Sequence, residues 1–352
     1  MNKNLYAVIL AGGAGTRFWP KSRKSLPKQF IDVTGEGTFF DQTIKRIKPI
    51  VPLKNIWVVS NANYKKLVVD SLRKFKIPTG NILLEPSGKN TAPAICWAAS
   101  VLFHENPDAI MMVLPSDHLI TREKNFINML NKAVKTAGQD YLVTMGIVPT
   151  RPEVGYGYFK VKRGKNKDVL LVDKFIEKPD VKKAAKLICN KNVFWNSGMF
   201  VWKAKTVLKE FLQHLPKTYK LFAELKDPKK VLKIWDKVES ISVDYAIMEK
   251  SGRVAAVAAE NIGWSDVGSW QALSEILPSD KQGNYFKGEV LGIDNQNTMV
   301  WADKRLVVAV GLKNIVIVDT KDAVLVCDLA QSQKIKNVVD ALKVDKKFRG
   351  IV

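Results

Sequence analysis

Apolar positions along the first half of the chain follow two rhythms. Short, nearly continuous runs at Leu5–Ala11, Asn55–Ser60, Asn81–Glu85, Ala109–Leu114 and Leu142–Val148 read as buried strands, because apolar residues do not alternate with polar ones. Between them, Phe39–Ile47, Tyr64–Phe75, Ala92–Phe103 and Phe126–Thr136 carry helical spacing. The alternation predicts an α/β fold: a Rossmann-like, mostly parallel sheet with helices on both faces. The segment from Ala92 is apolar almost all round, so its helix is expected to be buried, with Asn90 or Thr91 as N-cap and Pro93 in the first turn.

The rhythm changes after about residue 280. Gly288–Asp294, Thr298–Ala302, Leu306–Val310, Ile315–Asp319 and Ala323–Cys327 are short β runs separated by turns, which suggests a coiled, solenoid-like β unit. A last helix places Ile335, Val338, Val339 and Leu342 on one face. The expected division is a large α/β domain over 1–280 and a small β unit with a terminal helix over 281–352.

In open α/β sheets, ligands bind beyond the carboxyl ends of the strands. The first strand, ending at Leu10-Ala11, empties into Gly12, Gly13 and Gly15, then Thr16, and Arg17, Lys21, Arg23, Lys24 and Lys28 follow. Glycines let the backbone aim successive N–H groups at one point, and the cations suit a polyphosphate. The spacing lacks both Gly-x4-Gly-Lys-Ser/Thr and Gly-x-Gly-x-x-Gly, which excludes a P-loop and a dinucleotide-binding turn. Glu85 and Asp117 stand at two more strand ends, and Asp266 lies in the Gly-rich loop Gly263–Gly268. Gly155-Tyr156-Gly157-Tyr158 reads either as a close approach to a sugar or as a hairpin. Glu177-Lys178 and Asn196 offer acceptors, a cation and an amide for hydroxyls and phosphate.

Composition sets outer limits. The chain has 352 residues with Lys+Arg 56 against Asp+Glu 34, a net charge of +22. The lysines run from Lys3 to Lys347 without a dominating block, so solvated faces and the capture of anionic substrates account for them better than nucleic acid does. No apolar run approaches a membrane span. The N-terminal apolar run leads straight into the glycine loop, so it is not expected to be a cleaved signal. Cys96, Cys189 and Cys327 form no paired framework, and Cys96 reads as a core residue; a reducing cytoplasm is the expected compartment.

The signature Leu10–Phe30 resembles that of the nucleotide-sugar pyrophosphorylases. Phe18-Trp19-Pro20 and Pro27-Lys28-Gln29-Phe30 are similar to the branch of mannose-1-phosphate guanylyltransferases. The resemblance continues through Glu85-Pro86, Pro115-Ser116-Asp117-His118, Phe175–Pro179, Trp195–Phe200 and Trp264–Trp270, and covers nearly the whole chain. It implies the nucleotidyltransferase fold with a small C-terminal left-handed β-helix. It also implies GTP and mannose 1-phosphate as substrates, GDP-mannose and pyrophosphate as products, Mg²⁺ as cofactor, a homodimer, and no nucleic-acid or membrane partner.

Carried onto this chain, the family's nucleotide site falls on Leu10, Ala11, Gly12, Gly13, Gly15, Thr16, Arg17, Lys28, Glu85, Asn90 and Thr91. Catalytic roles fall on Arg17, Lys28 and Asp117, the metal on Asp117 and Asp266, and the sugar phosphate on Gly146, Gly155, Tyr156, Glu177, Lys178 and Asn196. The family usually has Arg where this chain has Lys89. Some of its members are longer, fused to a phosphomannose isomerase domain, and a chain of this length is expected to be monofunctional. Another nucleotide, or another sugar 1-phosphate such as a heptose or glucose, stays open, as does a non-catalytic regulator that binds a nucleotide sugar.

Overall fold

The computed structural model describes residues 2–163, 169–225 and 227–352. The chain forms two compact units, each built from separated stretches: Met1–Gly12, Thr43–Ser116 and Ile120–Trp264 in one, and Gly13–Gln42, Asp117–Leu119 and Ser265–Val352 in the other.

The first unit is organised by a nine-stranded sheet. Its strands are β1 (Leu5–Ala11), β2 (Ile56–Asn61), β3 (Ile82–Glu85), β4 (Ile110–Pro115), β5 (Leu142–Ile147), β6 (Tyr158–Arg163), β7 (Leu170–Ile176), β8 (Val193–Lys203) and β9 (Val254–Ala258). The spatial order is β3-β2-β1-β4-β8-β5-β9-β7-β6. The four early strands pair in parallel, with Leu10 opposite Val59 and Pro115, and β9 pairs in parallel with β5. Strand β8 enters antiparallel between β4 and β5, so the complete sheet is mixed. The continuous apolar runs thus mark the parallel part of the sheet; β1, β2 and β4 are buried nearly throughout, whereas β3 at the sheet edge alternates half-buried and buried positions.

The helix Thr91–Glu105 is buried over most of its length, including Cys96 and Trp97. Its core also holds Val59, Phe159, Phe200, Trp202 and Trp235. Burial pushes the Cys96 thiol well above its ordinary range, as a packing role requires.

The second unit contains the coiled β segment. Strands β10 (Tyr285–Lys287), β12 (Met299–Trp301) and β14 (Ile315–Asp319) stack in parallel on one ladder. Strands β11 (Val290–Ile293) and β13 (Val307–Val310) stack on a second. Strand β15 (Val324–Asp328) closes the first ladder antiparallel to β14. Asn295 sits buried in a turn between the ladders, donating to the Ala309 carbonyl at 2.7 Å and accepting from the Leu312 N–H at 2.9 Å. The core joins Met299, Trp301 and Val316 to Phe18, Trp19 and Trp270. The terminal helix Ile335–Val344 buries Ile335 and Val339, with Leu342 packed against that core. Val338, expected on the same face, is 42% exposed instead, because it turns away from the other three at the edge of the stripe. No helix among the described residues is long and apolar enough to cross a membrane.

Candidate functional site

In the second unit the glycine turn is fixed by sterics and hydrogen bonds. Gly15 has φ +60°, and a Cβ there would lie 2.3 Å from the Cβ of Lys28. Only glycine accepts that dihedral and that approach. Ser22 Oγ donates to the Gly15 carbonyl at 2.7 Å, and Gln29 Nε2 donates to the Gly13 carbonyl at 3.0 Å. Gly15 precedes a single helical turn, Thr16–Phe18, on which Arg17 is exposed. Phe18 and Trp19 point into the core, and Trp270 Nε1 donates to the Trp19 carbonyl at 3.2 Å. The aromatic pair of the signature therefore anchors the loop, while Arg17 faces solvent beside the glycines.

Lys28 is 3% exposed. Its Nζ donates to Asp117 Oδ2 at 2.9 Å and to the Asp266 carbonyl at 2.6 Å, and it lies 5.5 and 5.4 Å from the Phe18 and Phe39 ring centroids. Burial works against ionisation of Asp117, but the charges of Lys28 and His118 and the Lys28 hydrogen bond outweigh it, holding the carboxyl below its ordinary range. Asp266 Oδ1 accepts the Gly268 N–H at 3.1 Å, and Val267 between them has φ +46° and is fully buried. The three residues expected to handle phosphate and metal, Lys28, Asp117 and Asp266, are thus brought together.

Two aspartates fit Mg²⁺ by donor type, since it demands hard oxygen ligands. Among the described residues no group of three His, Cys, Asp or Glu forms a metal cage.

In the first unit, Leu10 and Ala11 end β1, and Gly12 follows at the carboxyl end of the sheet. A Cβ on Gly12 would come 3.1 Å from Glu85 Oε2. Glu85 is 5% exposed, its Oε1 has no hydrogen-bond partner among the described residues, and burial raises its pKa to about 7. An unsatisfied buried carboxyl at a strand end is costly unless a ligand supplies donors. Asn90, at φ +68°, caps the helix Thr91–Glu105, its Oδ1 accepting the Thr91 N–H at 2.9 Å. Thr91 Oγ1 instead accepts the Val243 N–H at 2.9 Å. Lys89 Nζ donates to the Val238 carbonyl at 2.6 Å, so it acts as a clamp on the segment before Asp244.

Further along the same unit, Glu177 Oε1 pairs with Lys178 Nζ at 2.9 Å, and Lys178 has φ +43°. That pair raises the Lys178 pKa, chiefly through the Glu177 hydrogen bond. A Cβ on Gly157 would lie 2.4 Å from Glu177 Oε2, so this glycine makes the space for the carboxylate. Asn196 donates through Nδ2 to Asp244 Oδ1 at 2.8 Å and accepts from Thr144 Oγ1 at 3.0 Å. Tyr156 stands edge-on between Trp195 and Trp264, at 5.1 and 5.5 Å.

Gly155 N–H bonds Glu153 Oε1 at 3.0 Å. Gly146 pairs with Asn196 across β5 and β8, where a Cβ would strike Phe159 and Phe194, so packing there requires a glycine. Asp244 and Thr144 were not singled out from the sequence, and Gly157 entered only as part of the Gly155–Tyr158 stretch. Asp244 opens an otherwise mostly apolar turn, Asp244–Met248, and such an isolated carboxylate is the only signal that marks it.

Residues 6–283 match the nucleotidyl transferase family, and residues 288–342 match a MannoseP isomerase/GMP-like beta-helix domain. The chain is 40% identical over 349 residues to the alginate biosynthesis protein AlgA of Pseudomonas putida, covering 95% of this chain and 71% of that protein. It is 38% identical over 354 residues to a mannose-1-phosphate guanylyltransferase of Salmonella muenchen, covering 97% and 74%. Among solved structures, a Thermus thermophilus protein described as a mannose-1-phosphate geranyltransferase superposes with a TM-score of 0.87 at 28% identity, covering 97% of this chain and 99% of that one.

Proposed function

The chain belongs to the nucleotidyl transferase family, and on that premise we propose that it transfers GMP from GTP to mannose 1-phosphate, releasing GDP-mannose and pyrophosphate. Relatives 36–40% identical to it bear the name mannose-1-phosphate guanylyltransferase or that of an alginate biosynthesis protein, which supports this substrate pair. The observation that carries the reading is the buried Lys28 ammonium, held by Asp117 and the Asp266 carbonyl beside a glycine turn.

A phosphate oxygen of the sugar 1-phosphate attacks the α-phosphorus of GTP. The bond to the bridging oxygen of the β-phosphate breaks, and pyrophosphate carries away that electron pair. The nucleophile is already anionic, so no general base is needed, and catalysis rests on positioning and charge. The Gly13–Gly15 amides and Arg17 take the departing β,γ-phosphates, and Lys28 takes the α-phosphate, where charge gathers. A cation fixed in a dry setting before the substrate arrives needs no reorganisation in the transition state. Asp117 and Asp266 would hold Mg²⁺, which screens the repulsion between the phosphates when bound. Glu85 supports guanine, because a buried carboxyl at this position suits the adjacent N1–H and N2–H₂ donors of that base. Glu177, Lys178 and Asn196 take the hydroxyls and phosphate of the sugar.

We further place the enzyme in the cytoplasm, as its unpaired Cys96, Cys189 and Cys327 suggest, and read it as a homodimer. The exposed apolar side chains Leu291, Ile293, Val308 and Val310 on the second β ladder support self-association, and light scattering would report the mass.

The stereochemical course tests the mechanism. GTP made chiral at the α-phosphorus should give inverted GDP-mannose, and activity lost to a chelator should return with Mg²⁺. Retention of configuration would mean a covalent enzyme intermediate and would overturn direct attack.

A further inference from the structure

The Asn196 amide is held in one orientation by its neighbours. Its Oδ1 accepts from Thr144 Oγ1 at 3.0 Å and from the Gly198 N–H at 3.3 Å, and its Nδ2 donates to Asp244 Oδ1 at 2.8 Å. Turning the amide over would set Nδ2 against the Gly198 N–H and Oδ1 against the Asp244 carboxylate, losing both of those bonds, whereas the Thr144 hydroxyl could serve either orientation. The backbone is held as well, since Asn196 N–H donates to the Gly157 carbonyl at 2.8 Å. Gly157 is also the residue whose missing side chain leaves room for Glu177. Asp244, Asn196, Gly157 and Glu177 therefore form one interlocked group.

Asp244 is itself suspended from a strap. The stretch before it is tied to the loop that follows Glu85 and to the helix start behind it. Trp235 Nε1 donates to the Ser87 carbonyl at 3.1 Å, Lys89 Nζ to the Val238 carbonyl at 2.6 Å, and the Ala92 N–H to the Ile241 carbonyl at 3.1 Å. The Val243 N–H donates to Thr91 Oγ1 at 2.9 Å, one residue before Asp244. Together these contacts fix the turn that presents Asp244 Oδ1 to Asn196.

We infer that Asp244 is a positioning residue for sugar recognition: it fixes the Asn196 amide so that the second hydrogen on Nδ2 meets one substrate hydroxyl in one direction. The inference rests on the reading that Glu177 and Asn196 take the sugar 1-phosphate. Sugars that differ only in the orientation of one hydroxyl are told apart by a site built to hydrogen-bond that group, and such a site must not rotate. Charge is not the property Asp244 supplies. What it supplies is an acceptor at a fixed place, and that distinction can be measured.

The test compares wild type with Asp244→Ala, Asp244→Asn and Thr144→Val, following pyrophosphate release with mannose 1-phosphate or glucose 1-phosphate and GTP. Asp244→Ala should raise KM for mannose 1-phosphate about tenfold or more, the loss expected when a directed hydrogen bond goes, with KM for GTP within about twofold. Its preference for mannose over glucose should shrink. Asp244→Asn keeps an oxygen acceptor and should recover most of the affinity. Thr144→Val removes the other strut and should move KM in the same direction as Asp244→Ala. A folded Thr144→Val or Asp244→Ala with wild-type KM and preference would overturn the inference, as would an Asp244→Asn enzyme no better than Asp244→Ala. If Asp244→Ala does not fold, Asp244→Asn and Thr144→Val decide by the same criteria. Wild type inactive on both sugars would instead sink the functional reading on which the inference stands.

Discussion

Lys28 and Gly15 occupy their places by mutual exclusion: a methyl group at position 15 would overlap the Lys28 side chain. Gly15→Ala should therefore impair turnover as well as folding. Lys28→Ala and Asp117→Ala should each lower turnover by roughly a hundredfold or more, the cost of losing one electrostatic stabiliser, with a thermal melt to show that the fold survives. Glu85 makes a prediction about pH. Burial raises its carboxyl from 4.5 to about 7, so the folded chain prefers the protonated form. Stability on this account is complete below pH 4.5 and declines as pH rises through 7, where it has cost about 3 kcal/mol. Glu85→Gln should accordingly be neutral in acid and stabilising at pH 8, measured by denaturant unfolding across pH, while weakening the use of GTP. Cys96→Ser should alter stability alone, because the fully buried thiol touches only core. At this scale Gly15, Lys28, Asp117 and Glu85 were legible, since glycines, cations and carboxylates at strand ends have few structural alternatives. Asp244 was not, because nothing local shows that a distant Asn196 depends on it.

The elements were legible where packing left the chain no choice. Strand β1 and the helix Phe39–Ile47 lie where the apolar pattern puts them, and the helix Thr91–Glu105 begins at its asparagine cap. Strand β8 was harder to read: Asn196, Ser197 and Gly198 interrupt its apolar run, and its antiparallel insertion between β4 and β5 is a tertiary choice. The coiled β segment was visible from its short runs, but its buried Asn295 was not. That side chain bonds the Ala309 carbonyl and the Leu312 N–H from the turn. Asn295→Ala should destabilise the protein by about 1–3 kcal/mol, the cost of leaving buried polar groups unpaired, as read from urea unfolding.

For the molecule as a whole, the excess of cations is a kinetic property. A net charge of +22 spread over the surface attracts anionic substrates at long range and leaves the chemistry to a few buried groups. Raising the salt from 0.05 to 0.5 M, a range that shortens the screening length severalfold (roughly), should lower kcat/KM for GTP and mannose 1-phosphate while kcat changes little. The measurement that tests the account most directly is pyrophosphate release by the purified protein with Mg²⁺, crossing the common nucleoside triphosphates with a panel of sugar 1-phosphates. Release with GTP and mannose 1-phosphate should stand well above that with every other pair. Equal release with another base or sugar would contradict the assigned specificity, and no release with any pair would contradict the enzyme itself.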